Sequence, residues 1–232
     1  MNGKPAKAEV TRRAASAILG DGRYEVKILS ESPLPVSQGF GVSAAAALST
    51  TLALDDALGL GRPKEDLVTA AHVAEVESLT GLGDVVPASL GGMDLRLEPG
   101  APGHAVVRKT EVREDLLLAV LGPEMPTRTI LRDVAKVSAI NRVGSRCIAD
   151  FAPAPSLARL FDLGNVFAEE TGLANRPLMD VIRASRMFGR ATMAMLGNSV
   201  FAAGHRDHLG TLLMKSGTIL KCEIDNEGAR VL

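Results

Sequence analysis

Residues 35–47 read Pro35-Val36-Ser37-Gln38-Gly39-Phe40-Gly41-Val42-Ser43-Ala44-Ala45-Ala46-Ala47. Two glycines flank Phe40, Ser43 follows, and four alanines lead into an apolar stretch. Four readings compete for this loop. In the first, Ser43 is the N-cap of a core helix rich in alanine. In the second, Gly39, Gly41 and Ala44 supply the G-x-G-x-x-A of a dinucleotide fold. That fold needs a strand directly before the glycines and an acidic strand end about 20 residues later. Here Pro33 and Pro35 intervene, and Gly59–Pro63 is a turn entering a helix. The third, a P-loop, requires Gly-Lys-Ser/Thr, which the chain lacks, and no G-x-S-x-G offers a serine-hydrolase elbow. In the fourth, glycine backbone N–H groups cradle a phosphate and the helix N-terminus adds partial positive charge. Ser43 then turns its hydroxyl to a phosphate or a magnesium ion, and Ala44 to Ala47 let the helix pack closely.

Working outward, helical spacing from Ala6 to Leu19 places Val10, Ala14, Ile18 and Leu19 on one side. Alternation over Tyr24–Leu29 predicts a half-buried strand. Helices are predicted from Ser43 to Leu58, stopped by Gly59 and Gly61, and from Pro63 to Leu79 with Glu65 and Asp66 near its positive end. Strands are predicted at Met93–Leu97, His104–Val112 and Asp115–Leu121, with Glu98–Gly103 as a hairpin connection. The chain then reads as helical from Thr127 to Gly189, broken near Pro153, Pro155 and Pro177. Strands around Met193–Ala202 and Thr218–Ile224 close it. Strands mixed with helices without strict alternation indicate an α+β fold, with a domain boundary near Val112–Glu114 that divides the chain into 1–113 and 114–232.

The 232 residues can bury a large core, and with no Trp, one Tyr and six Phe that core is mainly aliphatic. Basic and acidic residues number 26 and 27, a balance that gives no support for nucleic-acid or membrane-surface partners. No apolar run approaches the roughly 20 residues of a membrane span, and Met1–Val10 lacks the apolar core of a signal peptide. Cys147 and Cys222 fit neither a disulfide framework nor a zinc site, so a cytoplasmic location is expected.

A phosphate cradle needs an acidic metal ligand and a carboxylate near the acceptor hydroxyl. His72 and Glu75 stand three apart on one predicted helix and share a face. Asp84 follows the second glycine loop, Thr80-Gly81-Leu82-Gly83, where it can project into a cleft. Each also has an ordinary structural reading: an exposed helical Glu, a structural His, a turn Asp.

With these residues in view, the chain resembles the GHMP small-molecule kinases. Their second motif reads roughly P-x-x-x-G-L-G-S-S-A, and Pro35 to Ala44 follows it with Phe40 and Val42 as departures. Both departures resemble the pantoate kinase branch, which reads G-F-G-x-S. The stretches Ala71–Val76, Thr80–Val85 and Met193–Ala202 point the same way, and the last, A-M-L-G-N-S-V-F-A, is specific to that branch. The resemblance implies a two-domain fold. Its N-terminal part is like ribosomal protein S5 domain 2 and its C-terminal part is ferredoxin-like; an A-P-G-H-type segment with the opening strands is expected ahead of Met1. It implies ATP and Mg2+, with pantoate accepting the phosphoryl group at its 4-hydroxyl. Gly39, Phe40, Gly41, Val42, Ser43 and Ala44 then hold phosphate, Ser43 and Glu75 hold the metal, and Asp84 orients or deprotonates the acceptor. His72, Arg96 and Thr127 fall where the family holds pantoate, and related kinases often pair as homodimers.

Other patterns carry less. His205-Arg206-Asp207 spells a protein-kinase triplet without its companion motifs, and His205 with His208 reads as surface loop rather than a metal site. Arg128, Arg132, Arg142 and Arg146 read as a solvated helix face from which one could reach ATP phosphates. Two alternatives stand beside pantoate phosphorylation: the same chemistry on another hydroxy acid or alcohol, and a non-catalytic remnant that binds without turnover.

Overall fold

The computed structural model describes residues 1–81 and 83–232. Leu82, inside the second glycine loop, lies outside the described residues. The chain forms two compact units that are not contiguous in sequence. The first comprises residues 1–36, 41–110 and 225–232, and the second 37–40 and 111–224. The chain therefore passes from one unit to the other within the glycine loop, between Phe40 and Gly41.

In the first unit, helices α1 (Glu9–Leu19), α2 (Val42–Leu58) and α3 (Lys64–Ser78) pack on one another. A short α4 (Val85–Leu90) and a hairpin of β1 (Met93–Glu98) and β2 (Val106–Thr110) complete it. Ala14, Ala44, Ala47 and Ala71 are fully buried where the helices meet, so small side chains allow close approach, and Ile18, Leu48 and Leu67 fill the rest. Gly59 ends α2 in the left-handed conformation, φ 60°, donating its N–H to Asp56 O. Residues 24–29 form no strand, contrary to the alternation of their side chains. A half-buried strand needs a neighbour for its ladder. None pairs with this segment among the described residues, and Tyr24 and Leu29 are 50% and 80% exposed.

The second unit is a four-stranded antiparallel sheet in the order β4-β5-β3-β6, from β3 (Asp115–Val120), β4 (Gly189–Met193), β5 (Ser199–Gly204) and β6 (Thr218–Glu223). Helices α5 (Thr127–Leu131), α6 (Val134–Phe151), α7 (Leu157–Glu170) and α8 (Arg176–Ser185) lie between β3 and β4 in the chain. With α9 (Arg206–Met214) between β5 and β6, the order is β-α-β-β-α-β, a ferredoxin-like unit. Asp133, Ser156 and Asn175 cap α6, α7 and α8 through their side chains. Central β3 pairs on both edges, Leu117 opposite Ala202 on β5 and Lys221 on β6, and its Leu117 and Ala119 are core.

Two expectations change here. Met193–Ala202 is the tight hairpin joining β4 and β5 rather than one strand, because residues 194–198 turn the chain. His205-Arg206-Asp207 opens α9 rather than lying in a loop: His205 is the N-cap residue, and Leu209 and Leu213 anchor the helix in the core. Among the described residues no helix is long and apolar enough to cross a membrane.

Candidate active site

The start of α2 sets the site. Gly41 adopts φ 64° as the N-cap residue, a left-handed conformation that favours glycine, and a Cβ there would stand 3.5 Å from the Asp84 Cβ. Ser43 is not the N-cap residue of its helix. It sits inside the first turn and donates its hydroxyl to Glu75 Oε1 on α3 at 2.7 Å. Thr80 donates to the same oxygen at 2.7 Å. Glu75 is 1% exposed, and its second oxygen, Oε2, is buried without a hydrogen-bond partner among the described residues. A buried carboxylate oxygen left unpaired is costly and calls for a partner.

Gly81 keeps that oxygen clear. A Cβ at Gly81 would meet Glu75 Oε2 at 2.5 Å and Asp84 Oδ2 at 3.7 Å, so both carboxylate oxygens face one small space. Gly81 φ lies outside the left-handed region, so among the described residues the nearest obstacle to a side chain is the Glu75 carboxylate. Gly81→Ala is expected to displace Glu75 from its two hydroxyl donors and lower turnover at least 10-fold, a small-to-large cost of about 1–3 kcal/mol. Comparing activity with the melting midpoint checks this; wild-type turnover in the variant overturns the crowding.

Asp84 is the N-cap residue of α4, open to water yet near enough to surrounding protein for desolvation to act on its carboxyl. Burial is the main cause that pushes its carboxyl up to about 6; the negative charges of Glu75 and Asp94 add to the rise and Arg96 opposes it. Arg96, on β1, donates through Nη2 to Gly83 O at 3.0 Å and so lies against the loop that presents Asp84. His72 is buried one turn before Glu75 on α3. Burial first, then Arg96, lowers its pKa, so His72 is neutral at neutral pH and offers a hydrogen bond rather than a charge.

Ser43, His72, Glu75, Asp84 and Arg96 thus gather in the first unit. Thr127 belongs to the second, half-buried in the first turn of α5. Asp94 and Thr80 were not singled out from sequence. Asp94 lies two residues before Arg96, on the same face of β1, which is the signal that could have found it. Thr80 shows no such signal, since its role depends on the fold turning its hydroxyl back to Glu75.

In the second unit, the start of the glycine loop rests on the hairpin between β4 and β5. A Cβ at Gly39, φ 75°, would lie 2.2 Å from Ala194 O, and one at Gly197 would lie 2.2 Å from Gln38 O. Ser199 donates its hydroxyl to Gln38 O, and Gln38 Nε2 donates to Gly122 O at 3.1 Å. The stretch Ala194–Ser199 is therefore the seat of residues 38 and 39, with backbone packed on backbone. His205 and His208 face each other, Nδ1 to Nδ1 at 2.8 Å, on α9, while Arg206 pairs with Asp115. Arg146 pairs with Glu170 across α6 and α7, both half exposed.

The donor set around Glu75 suits a hard cation. Mg2+ takes oxygen ligands, keeps several waters and is held by one or two protein groups plus substrate phosphates. Glu75 Oε2, without a hydrogen-bond partner among the described residues and on the carboxylate that the Ser43 hydroxyl meets, fits that demand.

Residues 8–92 match the GHMP kinases N-terminal domain. The chain belongs to the GHMP kinases, and its α+β architecture is theirs. Within that family it is similar to a pantoate kinase of Thermococcus kodakarensis, 34% identical over 207 residues covering 87% of this chain and 68% of that protein. A pantoate kinase of Methanocaldococcus jannaschii is 30% identical over 199 residues, covering 85% of this chain and 72% of the relative. A solved structure described as a phosphotransferase related to the CoA biosynthesis pathway superposes with a TM-score of 0.83. It is 30% identical, and the match covers 98% of this chain and 78% of the other.

Proposed function

We propose that this chain transfers the γ-phosphoryl group of ATP to the 4-hydroxyl of pantoate, a step toward coenzyme A. The observation that carries the chemistry is the meeting of Ser43, Glu75 and Asp84 at the N-terminus of α2. The pantoate assignment draws on the pantoate kinases that the chain resembles. In this reading the first unit is the ATP- and phosphate-binding domain, and the second is the C-terminal domain of the family.

Residues Gly39 to Ala44 present backbone N–H groups and the positive end of α2 to the phosphates. Ser43 and Glu75 would hold Mg2+, which would neutralise phosphate charge. Arg96 grips the pantoate carboxylate, and neutral His72 adds a hydrogen bond that fixes the acceptor. Asp84 accepts the proton of the 4-hydroxyl as its oxygen bonds to the γ-phosphorus and the bond to the ADP oxygen breaks. A carboxyl raised to about 6 takes that proton more readily than an ordinary one and is still ionised at neutral pH. Phosphoryl transfer asks mainly for positioning and charge neutralisation, so this small set suffices.

The test is production of 4-phosphopantoate from MgATP and pantoate, followed by 31P NMR, with Arg96→Met beside the wild type. Charge-assisted hydrogen bonds are worth about 1.5–3 kcal/mol. The variant is therefore expected to raise the KM for pantoate about 10- to 100-fold while leaving the KM for ATP unchanged. Phosphorylation of a neutral alcohol in preference to pantoate, indifferent to Arg96, would favour a different acceptor.

A further inference from the structure

The chain's last segment returns to the first unit and closes on the C-terminal end of α4. Ala229 N donates to Ala88 O at 2.9 Å, and Gly92 N donates to Asp225 O at 2.7 Å. Lys64 Nζ donates to Ser89 O at 3.1 Å, and Lys109 Nζ donates to Leu90 O at 2.7 Å and also to Asn226 O. Each of the last three carbonyls of α4 thus has a donor from outside the helix. The backbones touch directly: a Cβ at Gly228 would stand 2.4 Å from Ser89 O, and one at Gly91 would stand 2.6 Å from Asp225 O.

Asp225 shapes the tail for this contact. Its Oδ1 accepts from Glu227 N at 2.7 Å and Gly228 N at 2.9 Å, and its Oδ2 pairs with Arg230 at 2.8 Å. The Arg230 bond, then the two backbone N–H groups, hold the Asp225 carboxyl down to about 2, so the turn is charged throughout the working pH range. An exposed ion pair contributes little, whereas the two N–H bonds fix the turn that presents Gly228 and Ala229.

A six-residue helix does not hold itself together in water. Its C-terminal end is fastened by Lys64, Lys109 and the tail, and its N-cap residue at the other end, about 9 Å away, is Asp84. We propose that the 225–230 turn is a positioning clasp, which seats α4 so that Asp84 stays opposite Gly41 and Glu75. Asp225, Gly228 and Lys109 are its positioning residues. The proposal rests on Asp84 acting as the proton acceptor.

Asp225→Ala and Asp225→Asn are compared with the wild type in the intact chain, by steady-state kinetics and by hydrogen exchange of the α4 amides. Misplacing a reacting group by about 1 Å costs about 100-fold. Asp225→Ala is expected to lower kcat 10- to 100-fold with the KM for ATP unchanged, and to speed exchange in α4 but not in α2. Asp225→Asn keeps an oxygen for the two N–H groups and is expected to recover most of the turnover. A kcat within twofold of wild type in Asp225→Ala overturns the proposal, as does unchanged α4 exchange. Should Asp225→Ala not fold, Lys109→Met, which keeps the Asp225 bonds to Glu227 N and Gly228 N but removes those to Leu90 O and Asn226 O, carries the same expectations. Absence of phosphoryl transfer in the wild type itself would count against the proposed function, and the exchange data would still decide whether the tail holds α4.

Discussion

Asp84→Asn is expected to lower kcat about 1,000-fold while making the protein more resistant to heat. The two effects share a cause. A general base positioned on the reacting proton contributes 10²- to 10⁴-fold, and asparagine cannot take that proton. Burial and the charge of Glu75 also make the ionised Asp84 unfavourable in the fold, which is why its carboxyl rises to about 6. For a carboxyl raised in the folded state, stability is fully present below about pH 4, where folded and unfolded chains are both protonated. It is lost as pH rises through about 6. Because Asp84 is open to water, the full shift overstates this cost, and a gain of about 1 kcal/mol, or 2–4 °C, is expected at pH 7. Turnover of the wild type runs opposite to stability, climbing with pH through about 6 as the base ionises. Melting curves and pH–rate profiles of both proteins check this pairing. A variant that keeps its activity, or loses it together with its melting midpoint, removes Asp84 from the proton-accepting role.

Glu75→Gln is the second large effect. Glutamine keeps the shape and can still accept from Ser43 and Thr80 through its carbonyl oxygen, so the fold is expected to stay. What it removes is the charge at Oε2, the one buried carboxylate oxygen of the cluster without a hydrogen-bond partner among the described residues. Turnover at saturating ATP is expected to fall at least 100-fold, and more Mg2+ should be needed for half-maximal rate. A readout apart from activity is Mn2+ binding followed by electron paramagnetic resonance, which should weaken in parallel. The residual activity carries a further signature. The charge of Glu75 helps raise Asp84, so its removal moves the acid limb of the pH–rate profile below 6. Unchanged metal dependence with an unmoved acid limb would show that Glu75 only braces α3 against α2.

Most of the candidate site was legible because its residues sit at spacings that a helix or a tight loop imposes. His72 and Glu75 share a face of α3 by periodicity, and Gly39, Gly41 and Ser43 mark a helix start whatever the rest of the fold does. Helical spacing yielded α1, glycine stops and Pro63 bounded α2 and α3, and the connection rich in Pro and Gly marked the β1–β2 hairpin. Local reading failed where the determinant was distant. Residues 24–29 carry strand alternation, but alternation supplies side chains for a ladder and not the second strand. Helix α4 has two valines and a proline in six residues, weak helix formers all, and is held by Lys64, Lys109 and the tail. The N-cap reading of Ser43, one of four open for the loop, fails because Gly41 holds that position and α3 packing alongside gives the Ser43 hydroxyl an acceptor in Glu75.

By itself the sequence determined that a glycine loop would open an alanine-faced helix beside two acidic positions, and that the whole was α+β with a kinase family's motifs. Those properties follow from backbone sterics and helical repeat, which act over a few residues. Only the packing of distant segments buries Glu75 with one oxygen lacking a hydrogen-bond partner among the described residues, and raises Asp84 to about 6. It alone brought residues 225–230 back to the end of α4. Burial, charge proximity and backbone-on-backbone contact depend on distances between segments tens of residues apart, and no local spacing encodes them.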